Sequence, residues 1–209
     1  MDTPEVSRET LIPTYFAQRQ REVARYGEIL ATWGIERGLI GPREGDRIWD
    51  RHIANCIPVS TLIPEGASVV DIGSGAGLPG IVIALARPDL RITLVEPLQR
   101  RTDFLTEVAT ELGIDITVIR GRAEIVKGSF GVVTARAVAP LPKLLNVSWH
   151  LLAPGGLFLA MKGEAAAAEL LEAQEVNLKT FKKVASSEVR ELDLPGIPLA
   201  RVVQLKKAG

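Results

Sequence analysis

Beyond Pro64 the chain adopts a rhythm that leaves few folds open: short β-type runs alternate with helical ones. Residues 67–73 (ASVVDIG), 91–97 (RITLVEP), 114–121 (IDITVIRG), 131–137 (GVVTARA) and 157–163 (LFLAMKG) read as strands. Residues 78–88 (LPGIVIALARP) read as a helix that stops before Pro88, because a residue preceding proline is disfavoured in the helical region. In 99–113, Phe104, Leu105, Val108 and Leu112 recur on one helical face and Gly113 closes the helix. Residues 141–156 read as a helix ending in a Pro-Gly-Gly turn, and 164–179 as a helix rich in Ala, Leu and Glu. Strands that alternate with helices connect as right-handed parallel units, so the expected fold class is α/β with a doubly wound sheet. Two last β-type runs, 181–192 and 199–207, are parted only by LPGIP. So short a link suits a hairpin, with one strand antiparallel at the sheet edge.

Before Pro64 no strand is expected. Residues 9–33 read mostly as helix, with Tyr15, Phe16, Val23, Tyr26, Ile29, Leu30 and Trp33 recurring at steps near three and four. Residues 43–57 read as a second helix with Ile48, Trp49, Ile53 and Cys56 apolar, after which Pro58 and Pro64 break the chain. The expected organisation is one compact unit, with a helical N-terminal extension over 1–64 and the α/β domain over 65–209. At 46% apolar residues the chain can fill a sizeable core. No apolar run approaches the roughly 18 residues a membrane span needs. The acidic, polar N-terminus lacks a signal-peptide core, and Cys56 is the only cysteine, so no intramolecular disulfide is available. These features favour the cytoplasm. Lys plus Arg equals Asp plus Glu, 25 each, which is not the balance of an obvious nucleic-acid binder, although a neutral chain can hide a local basic patch.

Residues 69–80, VVDIGSGAGLPG, follow the first strand. In open α/β sheets, ligands lie beyond the carboxyl ends of the strands, near the switch in strand order. Glycine admits left-handed backbone and close approach. Gly73, Gly75 and Gly77 are followed by Leu78, so the spacing is G-x-G-x-G, not the dinucleotide fingerprint, and no G-K-[ST] follows as a phosphate loop requires. The next helix is expected to start near Leu78 and to offer free N–H groups there. Glu96 ends the second strand, where an acid can accept hydrogen bonds from both hydroxyls of a ribose. Asp71 can bind a cationic ammonium, directly or through water. Together these suit S-adenosylmethionine better than a dinucleotide. A glycine run alone is also what a tight strand-to-helix turn looks like; Glu96 favours the cofactor reading. The candidate cofactor residues are Asp71, Gly73, Ser74, Gly75, Gly77, Leu78 and Glu96.

DIGSGAGLPG with the following ARPDL, then LVEPLQRRTDFL, GRAE, ARAVAP and MKG, preceded by IWDRHIANC, resembles the bacterial ribosomal RNA small subunit methyltransferase G family, also called glucose-inhibited division protein B. The match runs from roughly Tyr15 to Gly163 with the motifs in family order. The resemblance implies a class I methyltransferase (Rossmann-like) sheet of seven strands behind a small helical segment. It implies methyl transfer from S-adenosylmethionine, leaving S-adenosylhomocysteine, to guanine N7 in the 530 loop of 16S rRNA. It carries the cofactor site onto Gly73, Leu78, Ala123, Glu124 and Arg136, and RNA-facing roles onto Arg122 and Lys162. It also leads one to expect aspartate in many relatives where Asn55 stands.

The residues agree with that chemistry. Guanine N7 has an exposed lone pair and no hydrogen, so its methylation needs alignment and exclusion of water but no general base. No catalytic residue is expected; Arg136 and Lys162 are candidates for orienting the substrate. The [ND]-P-P-[FYW] motif of exocyclic-amine methylases is absent, with Ala135-Arg136-Ala137 after the fourth strand. Cys56 lies in an apolar helix and reads as core, not nucleophile. Arg136 can donate paired bonds to a guanine edge or a phosphate, or form an ion pair with Asp71 or Glu124. Arg100, Arg101, Arg122, Arg136 and Lys162 lie at strand ends or just past them and form the candidate RNA-binding rim. His52 and His150, far apart, give no metal pattern, so no metal is expected; His52 can brace the helix over the cofactor. The expected partner is 16S rRNA within the small ribosomal subunit or an assembly intermediate, with no membrane. The rival readings are a class I methyltransferase acting on a small molecule or protein, a nucleotide-sugar or dinucleotide enzyme, and a noncatalytic RNA-binding assembly factor.

Overall fold

The computed structural model describes residues 7–209; the first six residues of the expected extension lie outside the described residues. The chain opens with α1 (Arg8–Tyr15) and α2 (Gln20–Ile29), which runs on as a π-helical turn over Leu30–Gly34. The single helix expected over 9–33 is thus two. The break at 16–19 follows a helix with Pro13 inside it, and it lets α1 and α2 lay Leu11, Phe16, Val23, Tyr26 and Ile29 on the same core. The second expected helix is a series of irregular turns, Pro42–Arg47, Ile48–Ile53 and Ala54–Cys56, continuing into α3 (Ile57–Ser60). Pro58 does not break it. It sits in the first turn of α3, where a missing N–H costs no hydrogen bond.

The alternating part follows as β1 (Ser68–Ile72), α4 (Gly80–Ala86), β2 (Arg91–Glu96), α5 (Gln99–Leu112), β3 (Ile116–Arg120) and β4 (Phe130–Arg136). It continues with α6 (Leu141–Ser148), β5 (Leu152–Lys162), α7 (Ala166–Val176), α8 (Leu178–Phe181), β6 (Val184–Leu192) and β7 (Ala200–Lys207). Gly113 closes α5 in left-handed conformation, φ 59°. Two expectations fail locally. The helix over 164–179 is divided at Asn177, whose side chain donates instead to Pro142 O and Asn146 Oδ1. The Pro-Gly-Gly run is no turn but part of β5. Pairing with β4 jumps from Phe130–Leu152 to Val132–Leu157, leaving Ala153–Gly156 as a bulge. A bulge tolerates both the missing N–H of Pro154 and the φ of 72° at Gly155.

The seven strands are ordered β3-β2-β1-β4-β5-β7-β6. The first five are parallel, and the order reverses between β1 and β4. The terminal pair is the expected hairpin at one edge. Its antiparallel member β7 lies inside, against β5, and β6 is outermost. Each face of the sheet carries a core. One joins α6 and α7 to Val70, Ile72, Val133 and Phe158. The other joins α4 and α5 to α1, α2 and the irregular turns, through Phe16, Tyr26, Ile53, Ile81, Leu85, Phe104 and Leu105. The pattern changes at residues 64–65, but the core runs across that boundary. Arg25 and Arg37 lie 5.6 and 5.5 Å from the Trp33 ring and pair with Glu111 and Glu107 of α5, which ties the first layer to the second.

Each large apolar side chain taken fully from water contributes roughly 1.5–3 kcal/mol. A fragment of residues 65–209 therefore exposes a face of α4 and α5 that nothing else covers. It is expected to show no cooperative thermal transition by circular dichroism, whereas a sharp transition would show the first layer to be dispensable.

Candidate active site

The turn after β1 is built as its sequence demands. Gly73, Gly75 and Gly77 all have positive φ, 68°, 58° and 98°. Gly73 N and Ser74 N donate to Val95 O of the neighbouring strand, and the Ser74 hydroxyl donates to Asp71 O. Glu96, 1% exposed at the tip of β2, holds the turn from the side. Its Oε2 accepts from Gly75 N at 3.1 Å and its Oε1 from Leu98 N at 3.0 Å. Each oxygen keeps a further lone pair for an incoming hydroxyl. Leu78 N donates back to Ser74 O, so α4 begins at Gly80 and not at Leu78. Tyr26 reaches in from α2 and donates its hydroxyl to Ala76 O at 2.8 Å.

Asp71 is fully buried behind this turn. Its Oδ2 accepts from Gly80 N at 3.0 Å, while Oδ1 is buried without a hydrogen-bond partner. Burial raises its carboxyl to about 7, against the opposing pull of Ser74, the Gly80 N–H and Arg136.

Two cavities open at the carboxyl ends of the strands. The first, about 610 Å³, is a crevice over the β1–β2 tips and brings together Gly73, Glu96, Ala123 and Glu124. Arg101 and Arg122, expected to face RNA, also line this crevice, and Arg101 Nη1 stands 3.7 Å from Glu96 Oε2 with its Nε buried and unpaired. Arg100 is exposed on the first turn of α5 and lines neither cavity. Asp71, Ser74, Gly75, Gly77 and Leu78 stand behind the crevice wall and shape it through their backbone. The second cavity, about 660 Å³, lies over β4 and β5 and contains Arg136 and Lys162. The two share one wall, Ala137, Val138 and Ala139.

Arg136 ends β4 but makes no ion pair with Asp71 or Glu124. It brackets the irregular helical turns instead. Nη1 donates to His52 O and Cys56 Sγ at 3.2 and 3.1 Å, and Nη2 to Arg51 O and His52 Nδ1, both at 3.2 Å. A guanidinium only donates, so His52 Nδ1 is the acceptor and its Nε2–H faces Glu44 Oε2 at 3.2 Å. Burial and Arg136 both depress the pKa of His52, which keeps the ring neutral in this bracket. Cys56 is buried and its thiol is pushed up, chiefly by burial. Lys162, with only 10% of its side chain exposed, donates to Ala139 O at 2.7 Å and pairs with Glu169 at 2.8 Å. Among the described residues there is no cluster of three potential metal ligands.

Sequence reasoning missed Val138, Asn55 and Leu199. Val138 roofs the glycine turn: a Cβ on Gly73 would come within 2.7 Å of its Cγ2. The signal was the turn after β4, where Ala137 takes φ 55°, but no residue type announces that conformation at an alanine. Asn55 and Leu199 reach the second cavity from segments far apart in sequence.

The family model described as rRNA small subunit methyltransferase G matches residues 19–194. A "Ribosomal RNA small subunit methyltransferase G" of Streptomyces avermitilis is 55% identical over 174 residues, 81% of this chain and 71% of the relative. One from Kineococcus radiotolerans is 50% identical over 196 residues, covering 90% and 77%. Among solved structures, a methyltransferase from Pyrococcus furiosus superposes with TM-score 0.62 at 16% identity, covering 93% of this chain and 100% of that one. TYW2 from M. jannaschii in complex with AdoMet gives 0.59 at 19%, covering 77% of each. At such identities the likeness establishes the fold, that of the class I methyltransferases.

Asp71 binds its proton more tightly in the folded chain, at about 7, than in the unfolded one, near 3.8. Its contribution is therefore fully favourable below pH 4 and falls as pH rises from about 4 to 7, by at most about 4 kcal/mol. Asp71→Asn is expected to flatten that fall in urea midpoints taken across the window; parallel curves for the two proteins would contradict it. Glu96→Ala leaves Gly75 N and Leu98 N without their acceptor and removes the carboxylate that lines the crevice. It is expected to weaken binding of S-adenosylmethionine by roughly 1–3 kcal/mol in calorimetry, and unchanged affinity would move the cofactor out of this crevice.

Proposed function

The chain belongs to the rRNA small subunit methyltransferase G family, and on that premise we propose that it is a 16S rRNA methyltransferase that uses S-adenosylmethionine to methylate guanine N7 in the 530 loop. The observation that carries the reading is the crevice at the switch point, where the Glu96 carboxylate and the bare backbone of Gly73 face one cavity. These residues fit the cofactor. Glu96 has lone pairs left for two ribose hydroxyls, and it faces the same crevice as the side-chain-free backbone of Gly73. When bound, the sulfonium supplies an electrophilic methyl group, and S-adenosylhomocysteine is the product.

The protein's own part is alignment. N7 needs no proton removed and attacks a sulfonium without help from a metal ion, so neither a catalytic base nor a metal enters the scheme. Ala123 and Glu124 border the same crevice as Glu96, in line with a place beside the adenosine. Arg101 and Arg122 reach the same space and favour a cofactor-side role over contact with RNA. Arg136 holds the helical turns over the second cavity, with His52 and Glu44 fixing its orientation. Lys162 braces the wall residue Ala139. Arg100, exposed at the rim, remains the best placed of the expected RNA contacts. The extension and the α/β domain act as one unit, because Arg136 and Tyr26 join them at the site. A chain with 25 basic and 25 acidic residues has no net charge with which to gather RNA by itself, which supports presentation of the guanine by the small ribosomal subunit or an assembly intermediate, in the cytoplasm.

Mapping 7-methylguanosine in 16S rRNA from cells with and without this gene is expected to show one guanine that loses its methyl group. Identical maps would exclude the reading and leave a noncatalytic assembly role or another substrate. Substrate binding is also expected to weaken steeply with salt, since phosphate contacts release counterions.

A further inference from the structure

We propose that the second cavity is the berth of the target guanine, and that Oδ1 of Asn55 accepts a hydrogen bond from the base's Watson–Crick edge. The assignment rests on the N7-methylation reading and adds to it the place and the contact of the base.

In a purine, N7 and the N1–H, N2–H₂ edge point to opposite sides. N7 must face the cofactor crevice, so those donors must face the part of the second cavity that the crevice does not share. The common wall is Ala137–Ala139. Beyond it most of the charged groups are paired, and Glu164, which is not, is exposed to water. Arg51 pairs with Glu44 at 2.9 Å, Arg201 with Glu191 at 2.8 Å, and Glu169 with both Lys162 and Leu141 N. Asn55, half-buried, is the one uncharged polar side chain of the lining, set on the segment that Arg136 clamps in place. Its amide oxygen is an acceptor held on a fixed element, which two base donors require. The cavity also supplies surface for the faces of the ring. Val138 and Leu199 both line it, and they are 41% and 45% exposed where large apolar side chains are usually covered. A cavity of about 660 Å³, with Val138, Met161 and Leu199 set among charged side chains, has the dimensions of a small-molecule site.

The test compares Asn55→Ala and Asn55→Asp with the wild type, measuring 7-methylguanosine formed on small ribosomal subunits that lack the modification and, separately, S-adenosylmethionine affinity by calorimetry. Alanine removes the acceptor; aspartate keeps an oxygen at the same place. Asn55→Ala is expected to lose about tenfold in kcat/KM, the scale of one hydrogen bond to a base, with cofactor affinity within twofold of wild type. Asn55→Asp is expected to stay within about threefold on both measures. An alanine variant as active as wild type, an aspartate variant as impaired as alanine, or a parallel loss of cofactor affinity would each overturn the assignment. A wild-type protein that forms no 7-methylguanosine would instead remove the methylation reading on which it stands, and the assignment with it.

Discussion

A single buried carboxylate, Glu96, anchors the geometry of the site. It accepts one backbone N–H from the glycine turn of β1 and one from its own connection to α5, so the tips of these two neighbouring strands are locked to a common point. A carboxylate with so little contact with water is tolerated because backbone donors and Arg101 face it. The same arrangement leaves its outward lone pairs pre-aimed. Orientation is settled during folding, so a ligand need not supply the energy for it.

The second organising element is Arg136. Four acceptors surround its guanidinium, all from residues 51–56, where a π-helical turn passes into a 3₁₀ turn. A planar fork of donors suits that task better than a flexible ammonium would. The irregular turns thereby become a firm roof beside the second cavity, and the layer formed by the first sixty residues is tied to the sheet by polar contacts as well as by Tyr26, Ile53 and Phe104 in the shared core.

Legibility in the sequence followed the range of the interactions involved. The strands, α5 with its Gly113 cap, and the left-handed glycines of the turn were readable because each depends on residues within a few positions. The bulge at Ala153–Gly156 was not, because Pro-Gly-Gly serves a turn and a strand irregularity equally, and only the pairing with Phe130 and Val132 decides between them. The π-helical and 3₁₀ turns before α3 were likewise hidden, since tertiary packing of Ile48, Trp49 and Ile53 overrides local preference. Within the site, Glu96 and Gly73 could be placed by strand position alone. Arg101 could not be assigned to cofactor or RNA without knowing which way the first turn of α5 faces. Nor could Lys162 be seen as a brace, since Glu169 lies on a different element.

The hairpin at the sheet edge bears on how the sheet is assembled. β7 lies between β5 and β6, yet it is made after both. Until it arrives, β6 has no ladder to join, and its many polar side chains give it little reason to collapse elsewhere. Growth of the sheet on this side must therefore run against synthesis, with the later segment seated first and the earlier one laid down over it. A newly made chain paused ahead of that step presents the unpaired margin of β5, rich in Leu, Phe and Ala, as its most exposed adhesive surface.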